Sequence, residues 1–213
     1  MYLRVKNILN NAAIDDNISV LVLTGTGDFY SSGNDFRAAA LDAKQNNLNV
    51  LSDYIEAFIR FPKPLVAIVN GPAIGIAATT LALCDLVFAA ENSYFYTPFS
   101  KLGIVAEGCS TFTFPRLMGE RKAIEMLMYN YKMSAQEALD CGFVNYIYKP
   151  HELQSVVWSK IAEVSSLPSL SVALTKKMLK GSLHDQLLKA NAKEIEALGQ
   201  IWQAGIAKEK SKL

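Results

Sequence analysis

Short, wholly apolar runs alternate along this chain with longer segments of helical periodicity, and that order predicts the architecture. Met1 to Ile14 puts Leu3, Ile8, Leu9 and Ala12 among its apolar positions, which predicts a helix ended by Asp15-Asp16-Asn17. Ile18 to Leu23 reads as a strand. Phe36 to Arg60 reads as mostly helical with a polar interruption at Lys44 to Asn49, and Phe61-Pro62-Lys63-Pro64 forces an extended entry into the next run. Leu65 to Val69 predicts a buried strand. A helix over Ile76 to Leu83, a strand over Leu86 to Ala90 and a β-rich Ser93 to Thr97 follow. Strands separated by helices indicate the parallel sheet of an α/β protein.

Beyond Gly108 the pattern turns helical. Thr111 to Met118, Arg121 to Tyr129 and Ala135 to Asp140 are predicted as successive short helices, the last with Ser134 as N-cap and Gly142 as its stop. Val144 to Tyr148 reads as a final short strand. Helices are then expected over His151 to Val164, Leu170 to Leu179 and Leu183 to Ala204, the last carrying Leu187, Leu188, Ile195, Leu198 and Ile201 along one side. That stripe has three destinations: its own core, a second subunit, or a ligand it covers. No internal repeat, low-complexity segment or interdomain linker interrupts the chain.

At 213 residues the chain suits one domain with a sizeable core. A net charge of +1, with no basic run among its 21 Lys and Arg, leaves no electrostatic footprint for nucleic acid or a membrane surface, so the expected partner is small. Val66 to Leu83 is broken by Asn70-Gly71-Pro72, Gly75 and Thr79-Thr80, and no apolar stretch reaches membrane-spanning length. The N-terminus has no signal-peptide pattern. Cys84, Cys109 and Cys141 are widely spaced and form no Cys-x-x-Cys pair; they read as free cysteines of a reduced intracellular protein without a zinc site. The chain ends in Ser211-Lys212-Leu213 after the polar Lys208-Glu209-Lys210, a receptor-read address for the peroxisome matrix.

Candidate chemistry gathers at two glycine-rich turns. Thr24-Gly25-Thr26-Gly27-Asp28-Phe29-Tyr30-Ser31-Ser32-Gly33-Asn34-Asp35 follows the first strand. Asn70-Gly71-Pro72-Ala73-Ile74-Gly75 leads into a small-residue helix whose first N–H groups lack intrahelical acceptors. Two such turns from one parallel sheet can aim two N–H donors, that of Asn34 among them, at a single oxygen. Donors so placed stabilise developing negative charge by a few kcal/mol each. Gly25-x-Gly27 is not a dinucleotide fingerprint, because Tyr30 holds the third glycine position. No Walker loop is present, the two histidines, His151 and His184, lack metal-ligand spacing, and Gly108-Cys109-Ser110-Thr111-Phe112 lacks the closing glycine of a nucleophile elbow. Glu107 has two readings. As a carboxylate approached from the apolar Leu102 to Ala106 run, it is a base whose pKa burial would raise. As an acid at the N-terminus of the following helix, it would have its pKa lowered by the dipole. Asp35, placed to cap a helix near Phe36, and Asp85, at a helix-to-strand joint, read as structural.

The two turns, with Cys84-Asp85-Leu86-Val87, Thr97-Pro98-Phe99 and Gly103, closely resemble the crotonase (enoyl-CoA hydratase/isomerase) superfamily over about residue 1 to Tyr148. The resemblance implies an α/β spiral of ββα repeats with a helical C-terminal trimerisation region. It divides the chain into a core over 1–148, a helical region of the same domain over 149–207 and a tail over 208–213. The family's N-terminal strand pair and Arg-Pro…Asn-Ala loop have no counterpart here. The implied ligand is an acyl-CoA thioester, its oxygen held by the N–H groups of Asn34 and Ile76. Ser32, Gly33, Asn34, Asp35, Phe36, Arg37 and Gly75 would line the CoA and acyl pocket, with the Ser32 carbonyl available to the adenine amine.

Departures from the family pattern select the reaction. Crotonase-type hydratases carry two glutamates where this chain has Thr79 and Phe99, so no pair is available to orient and deprotonate an attacking water. Peroxisomal-type Δ3,Δ2-enoyl-CoA isomerases resemble the chain in Thr97-Pro98-Phe99-Ser100 and place a single catalytic glutamate where Glu107 stands. The implied activity is isomerisation of 3-enoyl-CoA to trans-2-enoyl-CoA in β-oxidation of unsaturated fatty acids, by a homotrimer, with no cofactor beyond the CoA of the substrate and no metal. The peroxisomal import receptor is the further expected partner. A non-enzymatic acyl-CoA-binding or oligomerising scaffold is the alternative.

Overall fold

The computed structural model describes residues 1–34 and 45–204. Seven strands occur among them: β1 (Leu21–Thr24), β2 (Leu65–Val69), β3 (Ala73–Ile74), β4 (Leu86–Ala90), β5 (Tyr94–Tyr96), β6 (Lys132–Ser134) and β7 (Tyr146–Tyr148). Those helices that position the site are α1 (Tyr2–Ile14), α2 (Gln45–Arg60), α3 (Ile76–Thr79, continued by a 3-10 turn to Leu83), α4 (Phe99–Leu102) and α5 (Ser110–Met118). They are followed by α6 (Glu120–Leu127), α7 (Ala135–Asp140), α8 (Trp158–Ser165) and α9 (Ser169–Gln203).

Strands β1, β2, β4 and β7 form an all-parallel sheet in the order β1-β2-β4-β7, with Leu21 opposite Leu65 and Val66 opposite Leu86. Side chains alternate across a strand, and here both faces are apolar. Leu65, Ala67 and Val69, with Val87 and Ala89, enter the larger core beneath α1, α2, α5 and α9. Val66 and Ile68, with Phe88 and Ala90, enter a smaller one with Tyr148, Val157 and Ile161. A strand covered on both faces reads as continuously hydrophobic, which is why Leu65–Val69 was legible. In the second sheet β3 pairs parallel to β5, and β5 antiparallel to β6.

Local chemistry sets several boundaries. Ser134 and Glu137 form a reciprocal capping box: Glu137 N–H donates to the Ser134 hydroxyl at 3.2 Å, and Ser134 N–H to the Glu137 carboxylate at 3.0 Å. Strand β1 begins at Leu21 rather than Ile18, because the Ile18 N–H is held in a turn on the Asp15 carbonyl at 3.0 Å. Three other expectations are corrected. The stretch His151 to Val164 is not one helix: a 3-10 turn and a π turn precede α8. Strand β6 and helix α4 are too short to produce a period and were not anticipated. The two C-terminal helices are one 35-residue helix, α9. Its internal Gly181 costs about 1 kcal/mol relative to Ala, too little to end a helix tied down on both sides of it.

Asp85 supplies much of that tying. Its carboxylate accepts Lys176 Nζ at 2.7 Å, Lys180 Nζ at 2.6 Å and the Leu65 N–H at 2.8 Å, joining α9 to the entrance of β2. Burial pushes its pKa up, but Lys180 and Lys176 outweigh burial and hold it below the usual carboxylate range. Its structural reading stands. The C-terminal half of α9 buries Leu187, Asn191, Glu194 and Leu198 against α2 and α5, while Leu170, Leu174 and Met178 in its N-terminal half are exposed. The long apolar stripe thus packs on its own domain. None of the helices among the described residues is long and apolar enough to cross a membrane.

Candidate active site

The two glycine turns meet. Ser31 bridges Ala73 in parallel register, Ile74 N–H donates to the Ser31 carbonyl at 3.0 Å, and Tyr30 N–H to the Pro72 carbonyl at 3.2 Å. Asn70 ties the turns at their base: its Oδ1 accepts the Gly25 N–H at 2.9 Å, and its Nδ2 donates to the Gly27 carbonyl at 2.8 Å. Gly33 has φ of 85°, and a Cβ on it would stand 2.6 Å from the Ile74 carbonyl oxygen and 3.8 Å from Gly75 Cα. Only glycine lets the 33–34 backbone run against 74–76 in this way.

Gly75 donates to the Tyr96 carbonyl at 2.8 Å and accepts from the N–H groups of Ala78 and Thr79, which starts α3 at Ile76. The N–H groups of Asn34 and Ile76 have no acceptor among the described residues. Ser32, Gly33, Asn34, Gly75 and Ile76 are therefore brought to one place. Asp35, Phe36, Arg37 and the Ser211-Lys212-Leu213 tail lie outside the described residues.

Glu107 precedes Gly108, whose backbone packs against the side chains of Thr79 and Ile76. It is 6% exposed, and its carboxylate accepts no hydrogen bond from the described residues. Its backbone carbonyl accepts the Ser110 hydroxyl at 2.7 Å. Burial, followed by the nearby charge of Glu194, pushes the Glu107 carboxyl up to about 8. The shift runs in the direction burial gives and not the one a helix dipole would give, because the N–H groups of Cys109 and Thr111 donate to Glu194 and not to the Glu107 carboxylate. Cys109 N–H donates to Glu194 Oε2 at 2.7 Å; Thr111 N–H and hydroxyl donate to Oε1 at 2.9 and 2.6 Å.

Tyr2 and Tyr54, with ring centroids 4.7 Å apart, complete the surroundings of Glu107 from α1 and α2. Both phenols are raised by burial and further by the Glu107 charge; at Tyr54 a hydrogen bond with Thr80 opposes the rise. Sequence reasoning missed Tyr2, Tyr54 and Glu194. For Glu194 a signal existed: Asn191 and Glu194 are polar residues at helical spacing on the same buried stripe as Leu187 and Leu198. A buried carboxylate on an apolar stripe requires partners.

Where hydratases carry their glutamates this chain offers no carboxylate. Thr79 is buried, its hydroxyl donating to the Ile76 carbonyl at 3.3 Å, and its side chain occupies the space a Cβ on Gly108 would need. Phe99 is buried in the core. A separate open cavity of about 750 Å³ lies between α2, α5 and α9, with Arg116, Lys176 and Lys180 among its lining residues; Asn34, Ile76 and Glu107 do not line it.

The sequence profile described as enoyl-CoA hydratase/isomerase matches residues 4–212. This chain belongs to that family. It is 40% identical over 203 residues to enoyl-CoA delta isomerase 3, peroxisomal, of Mus musculus, covering 92% of this chain and 64% of that protein. It is 39% identical over 209 residues to enoyl-CoA delta isomerase 2 of Homo sapiens, covering 95% and 53% respectively. The chain thus spans between half and two thirds of the length of these relatives. Among solved structures, the enoyl-CoA hydratase/isomerase from Pseudoalteromonas atlantica T6c superposes with a TM-score of 0.92 at 26% identity, covering 99% of this chain and 84% of that one. The fold is the crotonase fold.

Proposed function

We propose that this chain converts 3-enoyl-CoA to trans-2-enoyl-CoA in the β-oxidation of unsaturated fatty acids. Glu107 removes the C2 proton, and the electron pair moves to the thioester oxygen, where the N–H groups of Asn34 and Ile76 stabilise the enolate. As the electrons return through C2–C3, the same carboxyl delivers the proton to C4. One group serves as base and then acid, and no atom is gained or lost. The observation that carries the reading is the buried Glu107 carboxylate, unpartnered among the described residues, beside positions 79 and 99 that supply no second acid. A base with a pKa about 8 is matched to work near neutral pH. The names of the mouse and human relatives support the same reaction.

The reading requires no cofactor besides the substrate's own CoA. It takes residues 1–148 as the catalytic core, 149–207 as its helical region and 208–213 as a tail. Exposed Leu170, Leu174 and Met178, at intervals of four on α9, support a homotrimer formed through this region. The Ser211-Lys212-Leu213 ending and the peroxisomal relative support import into the peroxisome matrix. The test supplies trans-3-hexenoyl-CoA and, separately, trans-2-hexenoyl-CoA with water. Conversion of the first and no hydration of the second is expected; hydration would overturn the single-base reading. Binding of both without turnover would favour a scaffold.

A further inference from the structure

Glu107 precedes two consecutive residues with positive φ, Gly108 at 73° and Cys109 at 60°, before α5 begins. Glycine adopts that region freely, but a cysteine held there is strained and persists only when its surroundings fix it. What fixes this turn comes from 85 residues away in sequence. Glu194, 4% exposed on α9, receives the N–H groups of Cys109 and Thr111 and the Thr111 hydroxyl, and the Cys109 thiol contacts the Leu187 carbonyl at 3.4 Å. On the opposite side Gly108 sits against Thr79 and Ile76, at the start of the helix that offers the oxyanion donor.

We propose that Glu194 is a positioning residue for the reaction: by gripping the Cys109–Thr111 backbone from α9 it holds the Gly108-Cys109 turn against α3, and so fixes Glu107 relative to the Ile76 N–H. This rests on Glu107 being the base. The grip is also electrostatic. Burial raises the Glu194 carboxyl to about 7, with the bonds from Thr111 and Cys109 opposing the rise, and its charge in turn disfavours ionisation of Glu107. The titratable groups facing Glu107 are Tyr2 of α1, Tyr54 of α2 and Glu194 of α9; Cys109 faces Glu194, and α3 contributes the non-titrating Ile76 and Thr79.

The test compares the full chain with Glu194→Gln and Glu194→Asp, measuring kcat, KM, the pH profile of kcat/KM, and the Glu107 carboxyl titration by carbon NMR. Glu194→Gln removes the charge and one acceptor while keeping the shape; Glu194→Asp keeps the charge but shortens the reach. Expected for both is a fall in plateau kcat of about 10- to 100-fold from misplacement of the base, with KM within about twofold if substrate binding is untouched. In Glu194→Gln alone the acid limb and the Glu107 titration move to lower pH. A plateau kcat and Glu107 titration unchanged in Glu194→Gln would overturn the proposal, as would a loss that appears only as lowered melting temperature. If the unmodified chain lacks turnover, the isomerase reading fails, while the carboxyl titration still decides whether Glu194 acts on Glu107.

Discussion

Under the proposed reaction, the donor side and the base side of the site are built in opposite ways. Asn34 and Ile76 owe their placement to backbone. Both lie in turns that follow strands of the parallel sheet, and the turns are joined by main-chain bonds, the Asn70 side chain and glycine contacts. The backbone that follows Glu107 is held by a side chain on a helix 85 residues beyond Cys109, and Tyr2 and Tyr54 on two other helices lie close enough to feel the Glu107 charge. In the proposed reaction the donors sit in strand-to-helix turns, and the group that carries the proton sits where distant charge and burial tune it. Lesions on the two sides should therefore differ in kind: oxyanion lesions lower the rate equally at every pH, whereas base-side lesions also move the pH dependence.

The largest effect is expected from Glu107→Gln, which should lower kcat by about 1,000-fold, the scale of a lost general base, with acyl-CoA affinity retained in a direct binding measurement. Next is Gly33→Ala. Its Cβ would meet the Ile74 carbonyl at 2.6 Å on a backbone with φ of 85°, and separating the turns should cost about 100-fold in kcat/KM. If the comparison is right, the acid limb of that variant's pH profile overlays that of the unmodified chain. For the unmodified chain, log kcat/KM should rise with unit slope and level off near pH 8 as Glu107 loses its proton.

The same shift has a stability consequence of the opposite sign. The folded state holds a proton on Glu107 between the usual 4.5 and about 8, so stability declines as pH rises through that window. Thermal melts of Glu107→Gln above pH 8 should therefore exceed those of the unmodified chain by about 3–8 °C. The smallest effect should come from Asp85→Asn, about 1–2 kcal/mol of stability for a partly buried pair, with kcat unchanged. The Asp85 carboxyl is depressed in the fold, so its contribution is present at neutral pH and is lost as pH falls through the depressed value. Urea denaturation across an acid series measures it.

The same contrast explains what was legible in the sequence. Leu65–Val69 and Leu86–Ala90 were placed without error because strands buried on both faces are continuously apolar. Both glycine turns were visible because their chemistry is local, and Ser134 announced a helix start for the same reason. The expected gap between Leu179 and Leu183 contains Gly181, whose propensity cost is local, whereas the ion pairs of Lys176 and Lys180 with Asp85 that hold the helix are not. Glu107 could be nominated from its apolar approach, whereas the carboxylate that takes the helix-terminal N–H groups in its place is Glu194. No pattern around residue 107 encodes that partner.

In the proposed reaction one buried carboxylate, that of Glu107, performs the whole proton transfer. Turnover of trans-3-hexenoyl-CoA at pH 8 by the 213-residue chain and by Glu107→Gln, with CoA-ester binding measured on both, tests it most directly. Conjugated product is expected from the first and about 1,000-fold less from the second, with similar affinity in both. Equal turnover in the two, or none in either with binding intact, would contradict it.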